Sequence, residues 1–114
     1  MDNQRHLHIL WTNDNLITAE KMVFMYGLNS LKHGWWDAVT LIIWGATTAL
    51  VAENRAVQIR LEEMVAGGVM VSACKACSNE LGVTDTLRGL GFEVKYWGQP
   101  LTELLQSGAP LLTL

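Results

Sequence analysis

The sequence predicts an α/β fold, with a mostly parallel, five-stranded sheet covered by helices on both faces. Five short apolar runs, most of them β-branched or aromatic-rich, are each bounded by Gly, Asn, Asp or Pro. Helical patterns separate these runs. Strands that alternate with helices in this way imply right-handed crossovers between parallel neighbours. A chain of 114 residues, half of them hydrophobic, has the size of one domain and can bury a core without disulfides or a structural metal. No internal repeat, low-complexity tract or linker divides it, so residues 1–114 read as a single domain.

Taken in order, the expected strands are Leu7 to Trp11, Val39 to Trp44, Val69 to Ala73, Phe92 to Trp97 and Leu111 to Leu114. A first helix is expected from about Thr18 to Lys32, with Thr18 as N-cap, Glu20 in the first turn and Gly34 as the stop signal. Its middle, Met22 to Leu28, is apolar all round. A surface helix carries one apolar stripe, so this one is expected to pack on two sides, against the sheet and against a second subunit. The nearly uncharged stretch Ala38 to Ala52 is too short to span a membrane and is interrupted by Gly45. It reads as a strand buried on both faces and followed by a turn. A second helix, near Asn54 to Ala66, places Val57, Leu61, Met64 and Val65 on one face, with Gln58 among the residues largely elsewhere. Gly67-Gly68 ends it. Shorter helices are expected after Cys74, around Thr84 to Leu90, and from Leu101 to Gln106, with Pro100 placed to open the last.

Charge and motifs exclude several classes of function. Lys and Arg number 8 against 11 Asp and Glu, a formal net charge of −3, and no basic cluster is present. Nucleic acid is therefore not an expected partner. The charged fraction of 17% is low for a lone monomer and fits a homo-oligomer. Residues Met1 to His6 are polar and show no signal-peptide pattern. Two cysteines without a secretion signal suggest reduced thiols and a cytoplasmic location. Neither a P-loop nor a dinucleotide fingerprint occurs, nor GxSxG or HExxH. No cofactor or membrane association is implied.

In parallel α/β sheets, reactive groups gather beyond the carboxyl ends of the strands. Those positions here include Asn13, Gly45, Gln99 and the segment Cys74-Lys75-Ala76-Cys77. Cys74 is expected at the end of a strand and Cys77 in the first turn of the helix that follows. Helix-terminal N–H groups, with the positive charge of Lys75 nearby, favour thiolate over thiol. A thiolate is the form that attacks a sulfane sulfur or a disulfide, and the spacing lets one cysteine resolve a persulfide or mixed disulfide on the other. Cys74 and Cys77 are therefore the candidate catalytic residues, with Asn13, Gly45 and Lys75 as possible crevice-lining residues. A structural zinc would need four ligands. One CxxC supplies two, and His6, His8 and His33 complete the set only if the fold gathers them. His8, by strand alternation, faces opposite Leu7 and Ile9 and reads as a core or interface histidine. His33 suits a helix C-terminus, and Trp35 and Trp36 read as packing or contact residues.

The segments Gly68-Val69 through Ala73-Cys74-x-x-Cys77 to Gly82-Val83, Leu87-x-x-Leu90-Gly91-Phe92-Glu93-Val94, and Leu101-Thr102-Glu103-Leu104-Leu105 to Leu114 resemble the DsrE/DsrF-like family over nearly the whole chain. The resemblance implies an α/β/α sandwich, assembly as trimers, hexamers or heteromers, and sulfur carriers that take a persulfide from a donor protein and pass it to an acceptor. In active carriers of that family the accepting cysteine stands eight residues before a loop glycine, the spacing of Cys74 to Gly82. Cys77 matches a cysteine found in another subgroup. The expectation is a persulfide sulfur carrier in which Cys74 accepts sulfur and Cys77 assists. The alternatives are an oligomeric small-ligand-binding or scaffold protein with inert thiols, and a thiol–disulfide switch.

Overall fold

In a computed structural model that describes residues 5–114, the apolar runs form strands β1 (His6–Trp11), β2 (Ala38–Ile43), β3 (Met70–Cys74), β4 (Glu93–Lys95) and β5 (Leu111–Thr113). Residues 1–4, whose polarity bore on the absence of a signal segment, lie outside the described residues. Every pairing is parallel and the order is β4-β3-β2-β1-β5. The expected mostly parallel sheet is thus parallel throughout. β2 lies at its centre, and Val39 to Ile43 are buried on both faces, as its unbroken apolar run requires.

After β1 a helical stretch runs through α1 (Leu16–Thr18), a π-helical turn at Ala19–Phe24 and α2 (Met25–Lys32). The other helices are α3 (Ala46–Glu53), α4 (Arg55–Ala66), α5 (Lys75–Leu81), α6 (Thr84–Gly89) and α7 (Gly98–Ser107). The crossovers from β1 to β4 all step the same way across the sheet, so right-handedness lays α1 to α6 on one face. Beneath them lies the core, with Leu7, Ile9 and Trp11 of β1, Val39, Leu41 and Ile43 of β2, and Val71 and Ala73 of β3. Val23, Phe24, Val51, Leu61, Met64 and Leu87 close over it from the helices. The step from β4 back to β5 reverses direction and carries α7 to the other face. There α7 lies alone and has no buried residue. Both faces carry helices, very unequally.

Gly27 shows how tightly the thick layer is packed. It is buried in α2, and a Cβ there would lie 2.8 Å from the Met64 methyl and 3.6 Å from Ile9. The missing side chain lets α2 press against both α4 and the sheet.

Three expectations need correcting. Residues Ala46–Glu53 are a helix, not a turn: Ala and Thr dominate them, Thr47, Thr48 and Val51 are buried, and no apolar stripe betrays the period. The first helical stretch is capped by Asn15, whose side chain accepts from the N–H groups of Ile17 and Thr18. Thr18 lies inside the helix. On α4, Val65 is 45% exposed and Gln58 is buried instead, donating to the carbonyls of Val51 (2.8 Å) and Ala52 (3.3 Å). That bond joins α4 to α3, so burying an amide here leaves it satisfied.

Candidate functional site

Cys74 ends β3 and stands at the N-cap of α5 with extended backbone (φ −71°, ψ 115°), and Cys77 follows in the first turn. Both are free thiols. By register Cys74 sits beside Lys95 on β4 and shares a sheet face with Ser72, the face that only α7 covers. Cys74 is 3% exposed, while Cys77 is partly open to solvent.

Cys77 stands one helical turn on from Cys74, at the same carboxyl edge of the sheet as the Gly45 turn that follows β2. Burial pushes the Cys77 thiol above the ordinary cysteine range. The Gly45 N–H works against that shift, and the neighbouring Cys74 thiol and the Glu80 carboxylate reinforce it. The expected depression of this thiol by a helix N-terminus is therefore overridden by desolvation.

Of the five candidate residues, the structure brings Cys74, Cys77 and Gly45 together. Lys75 directs its ammonium at the Tyr96 ring, 5.2 Å from its centre, and lines a crevice with Asn79, Gly82, Thr84, Asp85 and Arg88. The side chain of Asn13 is turned onto its own loop, accepting from the N–H of Asn15 at 2.8 Å, where it shapes the entry to α1. Among the described residues no three His, Cys, Asp or Glu side chains converge as metal ligands.

The turn that presents Gly45 is anchored from β1. The Thr47 hydroxyl, fully buried, donates to the carbonyl of Trp11 at 2.7 Å and accepts from the N–H of Trp44 at 3.2 Å. Thr47→Val keeps the shape and removes both bonds. The expected result is a loss of about 1 kcal/mol in stability by denaturant unfolding, with faster exchange of the Trp44 amide.

A second set of side chains lines the thin side of the sheet. His6 and His8 stack at 4.1 Å, and a groove of about 490 Å³ runs past them to Ser72, Glu93, Lys95 and Trp97. The indole N–H of Trp97 donates to Ser72 Oγ at 2.8 Å, and Ser72 donates to Glu93 at 2.7 Å. His8 Nδ1 is buried without a partner. Burial, then the neighbouring His6 and Lys95, lowers the His8 pKa to about 4, and burial lowers that of His6. Strand alternation placed His8 on this face, but the groove itself comes from pairing β3 with β4. His33 closes α2 and stacks on Trp35 at 5.0 Å.

With this geometry established, two solved structures bear on the chain. A conserved protein of unknown function, BT1422 from Bacteroides thetaiotaomicron, is 42% identical, covering 96% of this chain and 95% of that one, with a TM-score of 0.94. The chain belongs to the BT1422 family. The Escherichia coli protein YchN matches over 97% of this chain and 99% of its own at 18% identity, with a TM-score of 0.65. That likeness bears on the fold alone: the chain and YchN share one α/β architecture. No family model matches the chain, and no curated protein matches it. No helix among the described residues is long and apolar enough to cross a membrane.

Proposed function

We propose that this member of the BT1422 family is a sulfane-sulfur carrier built on the Cys74–Cys77 pair. The supporting observation is a pair of free thiols three residues apart at the junction of β3 and α5, one buried and one partly open. Resemblance to the DsrE/DsrF-like family made Cys74 the acceptor. Because Cys74 is buried and Cys77 is more open, this reading takes Cys77 as the entry thiol, with Cys74 behind it.

In the first step the Cys77 thiolate attacks the terminal sulfur of a donor persulfide. A new S–S bond forms on Cys77 as the donor's S–S bond breaks, and the donor leaves as a thiolate that takes up the proton Cys77 gave up. An acceptor thiolate then removes the terminal sulfur and restores Cys77. Neither step needs an external oxidant or reductant. Homo-oligomeric assembly in the cytoplasm belongs to the same reading and draws support from the low charge content and the thinly covered sheet face.

Intact-protein mass spectrometry after incubation with a sulfane-sulfur donor tests this. Wild type is expected to gain sulfur that reductant removes, Cys74→Ser to retain the gain and Cys77→Ser to lose it. Loss in Cys74→Ser alone would restore Cys74 as the acceptor. No gain in wild type, with both thiols slow to alkylate, would sink the carrier reading. The competing reading, a scaffold or small-ligand binder with inert thiols, draws support from the same burial that raises the Cys77 thiol.

A further inference from the structure

The thinly covered face of the sheet carries polar side chains on β1 to β4, where a parallel sheet usually carries apolar ones. His6, His8, Thr40, Ser72, Glu93 and Lys95 all line one groove of about 490 Å³, a volume within the range of small-molecule sites. A face made polar only for solubility would leave its side chains free in water. These are held instead. Thr40 and Ser72 are 6% and 3% exposed, Thr40 pairs with His6 at 2.7 Å, and Ser72 is fixed between the Trp97 indole and Glu93.

Bonding capacity remains that the protein does not use. His8 Nδ1 is buried without a partner, so the proton of the neutral ring costs least on Nε2, which leaves an N–H donor. The Lys95 ammonium lies 3.6 Å from Glu93 Oε1 and 4.5 Å from the centre of the Trp97 ring, with N–H groups to spare. Glu93 meets Ser72 and Lys95 through Oε1, and Oε2 takes part in neither contact. This ion pair is long and half-exposed, so it holds little energy of its own. An anion alone would face Glu93, and a cation alone Lys95. A molecule with both charges meets an opposite partner at each end. Towards the amino end of β3 the groove is lined by Val65 and Met70, which are 45% and 49% exposed and offer apolar surface.

We propose that this groove binds a small zwitterion, a free amino acid with an apolar side chain. Its carboxylate goes to Lys95 and the His8 N–H, its ammonium to Glu93, and its side chain to Val65 and Met70. The site makes no use of the thiols, so it stands whether or not they carry sulfur.

The test is an NMR titration of the full chain with L-leucine and L-methionine. At least one is expected to saturate with a Kd of about 1 mM or below, moving the Trp97 indole signal and the β4 amides. For leucine, two analogues separate the charges: leucinamide lacks the carboxylate and isocaproate lacks the ammonium. Each should bind about tenfold more weakly or worse. Glu93→Gln should weaken leucine about tenfold and leave isocaproate unchanged, and Lys95→Met should weaken leucine about tenfold and leave leucinamide unchanged. If a variant does not fold, the analogues decide with the unsubstituted protein. An analogue that binds as tightly as leucine would overturn the proposal. So would saturation that leaves the Trp97 indole unmoved, or no saturation by about 10 mM with either amino acid.

Discussion

Trp11→Ala is expected to remove about 3–5 kcal/mol of folding stability, a large share of the roughly 5–15 kcal/mol available to a domain of this size. Trp11 is fully buried at the end of β1 and meets Phe24 edge-on at 5.5 Å. Its indole N–H donates to the carbonyl of Asn13 at 2.9 Å. Truncation would leave a cavity between the sheet and the π-helical turn, which the close packing around Gly27 gives little room to collapse. The backbone carbonyl of Trp11, which holds Thr47, survives the substitution. The loss should therefore appear in the urea midpoint with an unchanged slope, while Cys77 in the folded fraction alkylates as in wild type. A cost under about 1 kcal/mol would contradict the placement of Trp11 in the core.

Acid should destabilise the protein through His8. With the folded-state pKa near 4, below the unfolded value of about 6.5, the unfolded chain takes up a proton that the folded chain refuses. Stability is thus level above about pH 6.5 and falls as pH drops from there to about 4. The full shift would correspond to roughly 3 kcal/mol. His8 is partly open to solvent, however, and screening reduces this to about 2 kcal/mol. His6 pulls in the same direction. The check is the difference in unfolding free energy between pH 7 and pH 4.5 for wild type and His8→Leu, in which carboxylate effects cancel. His8→Leu should lose much of the acid sensitivity, and equal slopes would remove His8 as its source.

The sequence was most legible where one-dimensional pattern decides the outcome. β2 was readable because a centrally buried strand tolerates no polar alternation, and the Cys74–Cys77 junction because a strand end and a helix start are both local events. α3 was not readable, since a helix of Ala and Thr buried at Thr47, Thr48 and Val51 shows no face to count. Gln58 took an inner position that apolar periodicity assigned to Val65, because its amide meets the carbonyls at the end of α3. At the site, Gly45 was identifiable as a strand-end residue, but the direction of its N–H depends on φ and ψ, which composition does not encode. The placement of the Lys75 ammonium was not readable for a tertiary reason: Tyr96, just past β4, lies beneath it.

The unequal covering of the sheet also sets how the molecule comes apart. α7 contributes no buried side chain, and β5, which follows it, pairs with β1 over three residues. Little apolar surface has to be exposed to release them together, so this segment forms a weak cooperative unit beside a strong one. Such excursions uncover the His6–His8 face and free one edge of β1, while the layer holding Trp11, Thr47 and Gly45 stays closed. Opening of this segment would bare the sheet face that Cys74 shares with Ser72, while the Gly45 turn keeps its tie to β1 through Thr47.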